Sequence, residues 1–123
     1  MATNAQATAT PSPAPTQPPT AKIVTVKVYK RSYDEYVEIV NQGEALQDIT
    51  GWVVSGSKGD ETYRFPDGYV LGAGATVRLY SGKNDVDSPP TDIYWTDKTV
   101  WNNDGETVYL RDAQGDLVDD YKY

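Results

Sequence analysis

Carboxylates are the main candidates for chemistry in this chain: 18 of its 123 residues are Asp or Glu, and it has neither histidine nor cysteine. Without imidazole or thiolate, zinc sites of the usual kind, Ser-His-Asp triads and cysteine nucleophiles are excluded. Two acids at glycosidase separation could in principle hydrolyse a sugar bond, but no spacing marks a pair. Asp85, Asp87 and Asp92, together with the Asn102-Asn103-Asp104 turn, offer the oxygen ligands that a calcium ion wants. Their spacing is neither that of an EF-hand nor of a repeat-type calcium loop, so they read as solvated turn acids and at most as weak metal candidates. Among the aromatics, Tyr94 and Trp95 follow a double proline and read either as an exposed ligand platform, helped by Tyr69 or Tyr80, or as packing on an edge strand. Trp52 and Trp101 read as plugs of a core, since tryptophan is highly buried on average. Gly72 and Gly74 precede no helix that could supply a phosphate cradle, so they mark a turn. No catalytic or cofactor-binding residue emerges, and no cofactor is expected.

The elements that must position these residues are strands. Val24, Val26 and Val28 alternate with Thr25, Lys27 and Tyr29, which predicts a first strand with the valines inward. Val37 and Ile39 alternate with Tyr36 and Glu38 in a second, closed by the turn residues Asn41-Gln42-Gly43. The run LQDITGWVVSG predicts a third, irregular strand with a bulge or close backbone approach at Gly51. Thr62 to Phe65 ends at a Pro-Asp-Gly turn, and Tyr69 to Leu71 and Thr76 to Tyr80 add two more strands, with Val77 and Leu79 on one face. Residues 83–92 carry a double proline and predict a surface loop, after which Ile93 to Trp95 forms a brief edge strand. Thr107 to Arg111 and Leu117 to Tyr123 predict a closing hairpin. About seven to nine short strands without an amphipathic helix predict an all-β, antiparallel β-sandwich.

Charge divides the chain. Residues 1–20 hold no charged residue and five of the eight prolines, so residues 1–21 read as an Ala/Thr/Pro-rich linker and residues 22–123 as one domain. All of the net charge of −7 falls on that domain. Such a surface repels phosphate backbones and anionic lipid, so neither nucleic acid nor membrane is expected as partner, and self-repulsion favours a monomer. No run approaches the roughly eighteen apolar residues of a membrane span. The opening residues lack the charged and apolar regions of a secretion signal, so the chain either begins past one or never had one.

Three motifs in order, EYVEIVNQG (Glu35 to Gly43), DITGWVV (Asp48 to Val54) and WNNDGETVYLRDAQGDLVD (Trp101 to Asp119), resemble those of the lamin-tail domain, with FPDGYVLGAGATVRLYSG (Phe65 to Gly82) fitting between them. The resemblance covers nearly all of residues 22–123. It implies an immunoglobulin-like sandwich and a non-enzymatic module, found in nuclear filament proteins and in secreted bacterial proteins. No heptad rod precedes the domain, and the Pro/Thr spacer fits the bacterial, extracytoplasmic setting. The function expected is a structural or interaction module that binds a protein partner or tethers a larger assembly. The alternatives are a carbohydrate- or cell-wall-binding module using exposed aromatics and a calcium-dependent adhesion module.

Overall fold

The computed structural model describes residues 20–31, 34–83 and 87–123, with the backbone alone at positions 26, 30 and 31. Ten strands and no helix occur among them: β1 (Ile23–Arg31), β2 (Asp34–Asn41), β3 (Gln47–Asp48), β4 (Val53–Gly56), β5 (Thr62–Arg64), β6 (Val70–Leu71), β7 (Thr76–Gly82), β8 (Asp92–Thr96), β9 (Thr107–Arg111) and β10 (Leu117–Lys122). One four-stranded sheet has the order β1-β2-β7-β8, the other β10-β9-β4-β5, and β3 pairs with β6. The inner faces meet in a core of, among the described residues, fifteen buried apolar side chains, to which period-two alternation supplies Val37 and Ile39 from β2, Val77 and Leu79 from β7, Val54 from β4, and Val108 and Leu110 from β9. Each such side chain withdrawn from water contributes about 1.5–3 kcal/mol, which explains how a chain without disulfides holds together.

The structure departs from the sequence expectations in three places. In β1 the buried residues are Ile23 and Thr25, while Val24 is half-buried. A bulge between Thr25 and Lys27 adds one residue to the strand, so the inward phase shifts and Val28, opposite Val37, packs against the core. The side chain of Val26 lies outside the described residues. The expected third strand is two: β3 and β4 belong to different sheets and are separated by a turn in which Gly51 takes φ 77°, a left-handed conformation that glycine adopts without strain. β8 runs parallel to β7, so this sheet is not wholly antiparallel as the sequence predicted. The split of the third strand brings the count among the described residues to ten, above the expected seven to nine.

Buried polar side chains hold the two poles of the sandwich. At one pole Asn41 is fully buried at the end of β2. Its Oδ1 accepts from the backbone amides of Gly43 (2.9 Å) and Lys22 (3.2 Å), while its Nδ2 donates to the carbonyls of Ala45 (2.8 Å) and Leu71 (3.0 Å). The Asn of the Asn-Gln-Gly turn thus knots the start of β1, the turn itself and the end of β6. Gly43 is required there, since a Cβ would lie 2.2 Å from the carbonyl oxygen of Thr20. Residues 20 and 21 of the expected linker join the fold at this pole: Glu44 N donates to Thr20 O at 2.9 Å, and Ala21 packs against the core. Residues 1–19 lie outside the described residues.

At the opposite pole two buried carboxylates grip the segment between β8 and β9. Glu35 Oε1 accepts from Val100 N (2.6 Å), Trp101 N (3.3 Å) and Ser81 Oγ (2.8 Å). Glu106 accepts from Asn102 N (2.7 Å) through Oε2 and from Lys58 N (3.0 Å) through Oε1. Tyr123 closes this pole, its hydroxyl donating to Asn102 O at 2.9 Å.

Candidate functional site

The outer face of the β1-β2-β7-β8 sheet carries a row that no single strand reveals. Cross-strand register places Tyr29 opposite Tyr36, Tyr36 opposite Tyr80, and Tyr80 opposite Tyr94. Each tyrosine neighbours an inward residue of its own strand (Val28, Val37, Leu79 and Ile93), so period-two alternation turns all four outward. All are half-buried. With strands about 4.8 Å apart, the row extends about 14 Å across the whole sheet. Tyr29 and Tyr36 stack with centroids 4.9 Å apart and planes 10° from parallel, and Tyr80 tilts against Tyr36 at 5.3 Å.

A charged row runs alongside, with Lys27 opposite Glu38, Glu38 opposite Arg78 and Arg78 opposite Asp92. Arg78 Nε donates to Glu38 Oε2 at 2.8 Å, and its guanidinium lies 4.8 Å from the Tyr36 ring centre. Lys27 Nζ sits 5.9 Å from the rings of both Tyr29 and Tyr36. Because Tyr29 and Arg78 reach Tyr36 from strands on opposite sides, both of its ring faces are covered; ring edges and hydroxyls are what it offers outward. Burial raises the Tyr80 hydroxyl above its ordinary value, and Asp92 adds to the effect while Arg78 opposes it. Glu38, Thr76, Arg78, Thr91 and Asp92 line an open groove of about 330 Å³ on this same face. Two cations balance two anions along the row, so the face is near neutral on a chain of net charge −7. A half-buried aromatic and arginine surface free of excess charge has the composition enriched at protein interfaces.

With this geometry in view, comparison with known sequences decides the family: the model of the lamin tail domain matches residues 15–123. The chain belongs to the lamin tail domain family. Lamin-B3 of Xenopus laevis is 29% identical over 86 residues, which covers 66% of this chain and 15% of that protein. The chain therefore corresponds to a small part of that relative's length. The lamin tail domain is an immunoglobulin-like structural fold family without enzymatic character, in agreement with the sandwich described above.

Within this lamin tail domain the residues singled out by sequence are distributed unevenly. Trp52 and Trp101 are 9% and 2% exposed and belong to the core. Tyr94 and Trp95 are not brought together as a platform. Tyr94 joins the tyrosine row with Tyr80, whereas Trp95 packs against the core in edge contacts with Tyr63 (6.0 Å) and Trp101 (6.1 Å). Tyr69 is buried, in ring contact with Phe65 at 5.1 Å, and its hydroxyl donates to the carbonyl of Pro90. Trp101, Trp95, Tyr63, Phe65 and Tyr69 form a continuous aromatic seam that closes the sandwich where β8 and β5 are its edges.

Of the acids considered for calcium, Asp85 lies outside the described residues. Asp87 Oδ1 accepts from Tyr94 N at 3.4 Å, and Asp92 Oδ2 from the Thr91 hydroxyl at 3.0 Å. Asn102 Oδ1 accepts from Asp104 N at 2.8 Å, a local turn contact. Among the described residues no group of three or more acidic side chains is placed to hold a metal ion. Sequence reasoning missed Tyr29 and Tyr36 as members of one surface. The signal was present in the phase of each tyrosine against its apolar neighbours, but which tyrosines meet depends on strand register, which no local pattern encodes.

Proposed function

We propose that this lamin tail domain is a non-catalytic interaction module that binds a protein partner across the tyrosine-bearing face of its four-stranded sheet. The observation that carries the reading is the in-register row Tyr29-Tyr36-Tyr80-Tyr94 braced by Lys27 and Arg78. Tyrosine supplies large contact area at low entropic cost, and tyrosine and arginine dominate binding energy where a partner excludes water. A glycan platform is less well supported, because sugar stacking needs open ring faces and those of Tyr36 are covered. The extracytoplasmic, bacterial-type setting belongs to the same proposal and rests on the Pro/Thr-rich stretch ahead of the domain; fractionation of the source cells tests it.

The face is tested by comparing proteins captured by the wild type, by Tyr36→Ser/Tyr80→Ser, and by Tyr109→Ser on the other sheet. A partner retained by the wild type and Tyr109→Ser but lost with the double variant is the expected result. Retention by all three, with folding verified by circular dichroism, refutes the assignment of the face. Saturable quenching of tryptophan fluorescence by a soluble glycan would favour the carbohydrate reading instead.

A further inference from the structure

The groove beside the tyrosine row is rich in acceptors and short of cations. Its lining offers the carboxylates of Glu38 and Asp92 and the hydroxyls of Thr76 and Thr91, against one guanidinium, that of Arg78. Arg78 is committed, bonded to Glu38 at 2.8 Å and laid over Tyr36. Asp92 differs: its contacts are with neutral hydroxyls, Thr91 at 3.0 Å and Tyr80, and among the described residues no cation stands within ion-pair distance of it.

An occupant without positive charge would bury the Asp92 carboxylate with no compensating cation, which is strongly unfavourable. An acidic occupant would face two carboxylates and the field of a chain of net charge −7. A guanidinium satisfies every requirement, since its planar fork matches a carboxylate while its face stacks on a tyrosine. We propose that the protein partner inserts an arginine side chain into this groove, paired with Asp92 and lying along Tyr80, so that the alternation of arginine, carboxylate and tyrosine begun by Arg78 continues across the interface. This rests on the reading of the face given above and adds the chemistry of what meets it. Approach of a basic segment is also favoured at long range by the acidic domain.

The test is amide NMR of the full chain titrated with an octapeptide alternating arginine and glycine, and with the glutamate-glycine octapeptide as control. The arginine peptide should shift the amides of Thr76, Thr91 and Asp92 saturably, and the glutamate peptide should not. Asp92→Asn should weaken binding at least about tenfold, the loss expected when one member of a close charge pair is neutralised. Asp87→Asn, a nearby acid outside the groove, should leave it unchanged. Shifts scattered over other acids, or binding indifferent to Asp92→Asn, overturn the arginine proposal. Capture of a partner that is lost in Tyr36→Ser/Tyr80→Ser yet intact in Asp92→Asn overturns this inference alone, whereas capture indifferent to the tyrosines overturns the reading beneath it.

Discussion

Replacing Asn41 by alanine removes four hydrogen bonds from one fully buried side chain. The bond to the Leu71 carbonyl is buried, so orphaning that acceptor costs about 1–3 kcal/mol. The amides of Lys22 and Gly43 and the carbonyl of Ala45 are partly buried, so water recovers some of each loss; about 0.5–1 kcal/mol apiece is reasonable. The sum is about 3–5 kcal/mol, a large share of the 5–15 kcal/mol that a domain typically has. For a domain of this size that corresponds to a fall in Tm of about 15–30 °C. Urea titration should give a lower midpoint with an unchanged slope, because the variant alters stability and not the surface exposed on unfolding. Asn41→Asp should be no better at neutral pH, since it keeps the acceptor but turns an anion toward the two carbonyls. A Tm within a few degrees of the wild type would refute the argument, for it would mean that water replaces all four partners.

Glu35→Gln replaces a buried carboxylate that accepts two backbone amides and the Ser81 hydroxyl, and it should cost about 1–3 kcal/mol; faster hydrogen exchange at Val100 and Trp101 would localise the loss. Gly56→Ala would set a Cβ 2.4 Å from Glu106 Oε1 and 3.0 Å from Trp101, so it must displace the clasp on Lys58 and Asn102 and should destabilise by about 2 kcal/mol or more. Gly72→Ala meets nothing within 4 Å and should be neutral or slightly stabilising in the same melting assay. The Tyr69 hydroxyl is raised from 10.0 to about 12, by burial first and then by Tyr63 and Asp92. Its folded value lies above the unfolded one, so its contribution is complete below pH 10 and is lost as pH rises toward about 12. Stability measured by urea titration should therefore fall across that window, less steeply in Tyr69→Phe. An identical fall in the variant would contradict the assignment.

Much of the fold was legible because apolar residues in β2, β7 and β9 recur at period two between turn residues, and burial follows that phase. Val24, Val26 and Val28 misled for a physical reason. Three alternating valines look like an unbroken strand, yet one bulge reverses the inward phase without changing composition. Glu35 was not legible as a buried residue, since an acid beside Asp34 at the start of a strand normally faces water; only the fold brings Val100 and Trp101 to its oxygen. Trp95 was ambiguous until Tyr63, more than thirty residues earlier, arrived as its ring partner. The tyrosine row joins four positions from Tyr29 to Tyr94, and its existence depends on strand pairing, including the parallel step from Tyr80 to Tyr94. The proposed site was therefore visible as parts and not as a surface.

The division of labour between the two poles bears on how the molecule carries load. Thr20 is tied to the Asn41 pole, and Tyr123 to the Glu35 and Glu106 pole. Tension applied between these two residues is directed along the strands and draws β1 lengthwise past β2. The hydrogen bonds from Ile23↔Asn41 to Arg31↔Asp34 then share the force side by side, where a pull from the hairpin's open end across the strands would break them one at a time. The side chain of Asp119 on β10, accepting from Thr25 N at 2.8 Å, adds a cross-brace from the other sheet at the bulge of β1. In this arrangement the β1–β2 ladder and the Asp119 brace would be loaded together and not in sequence.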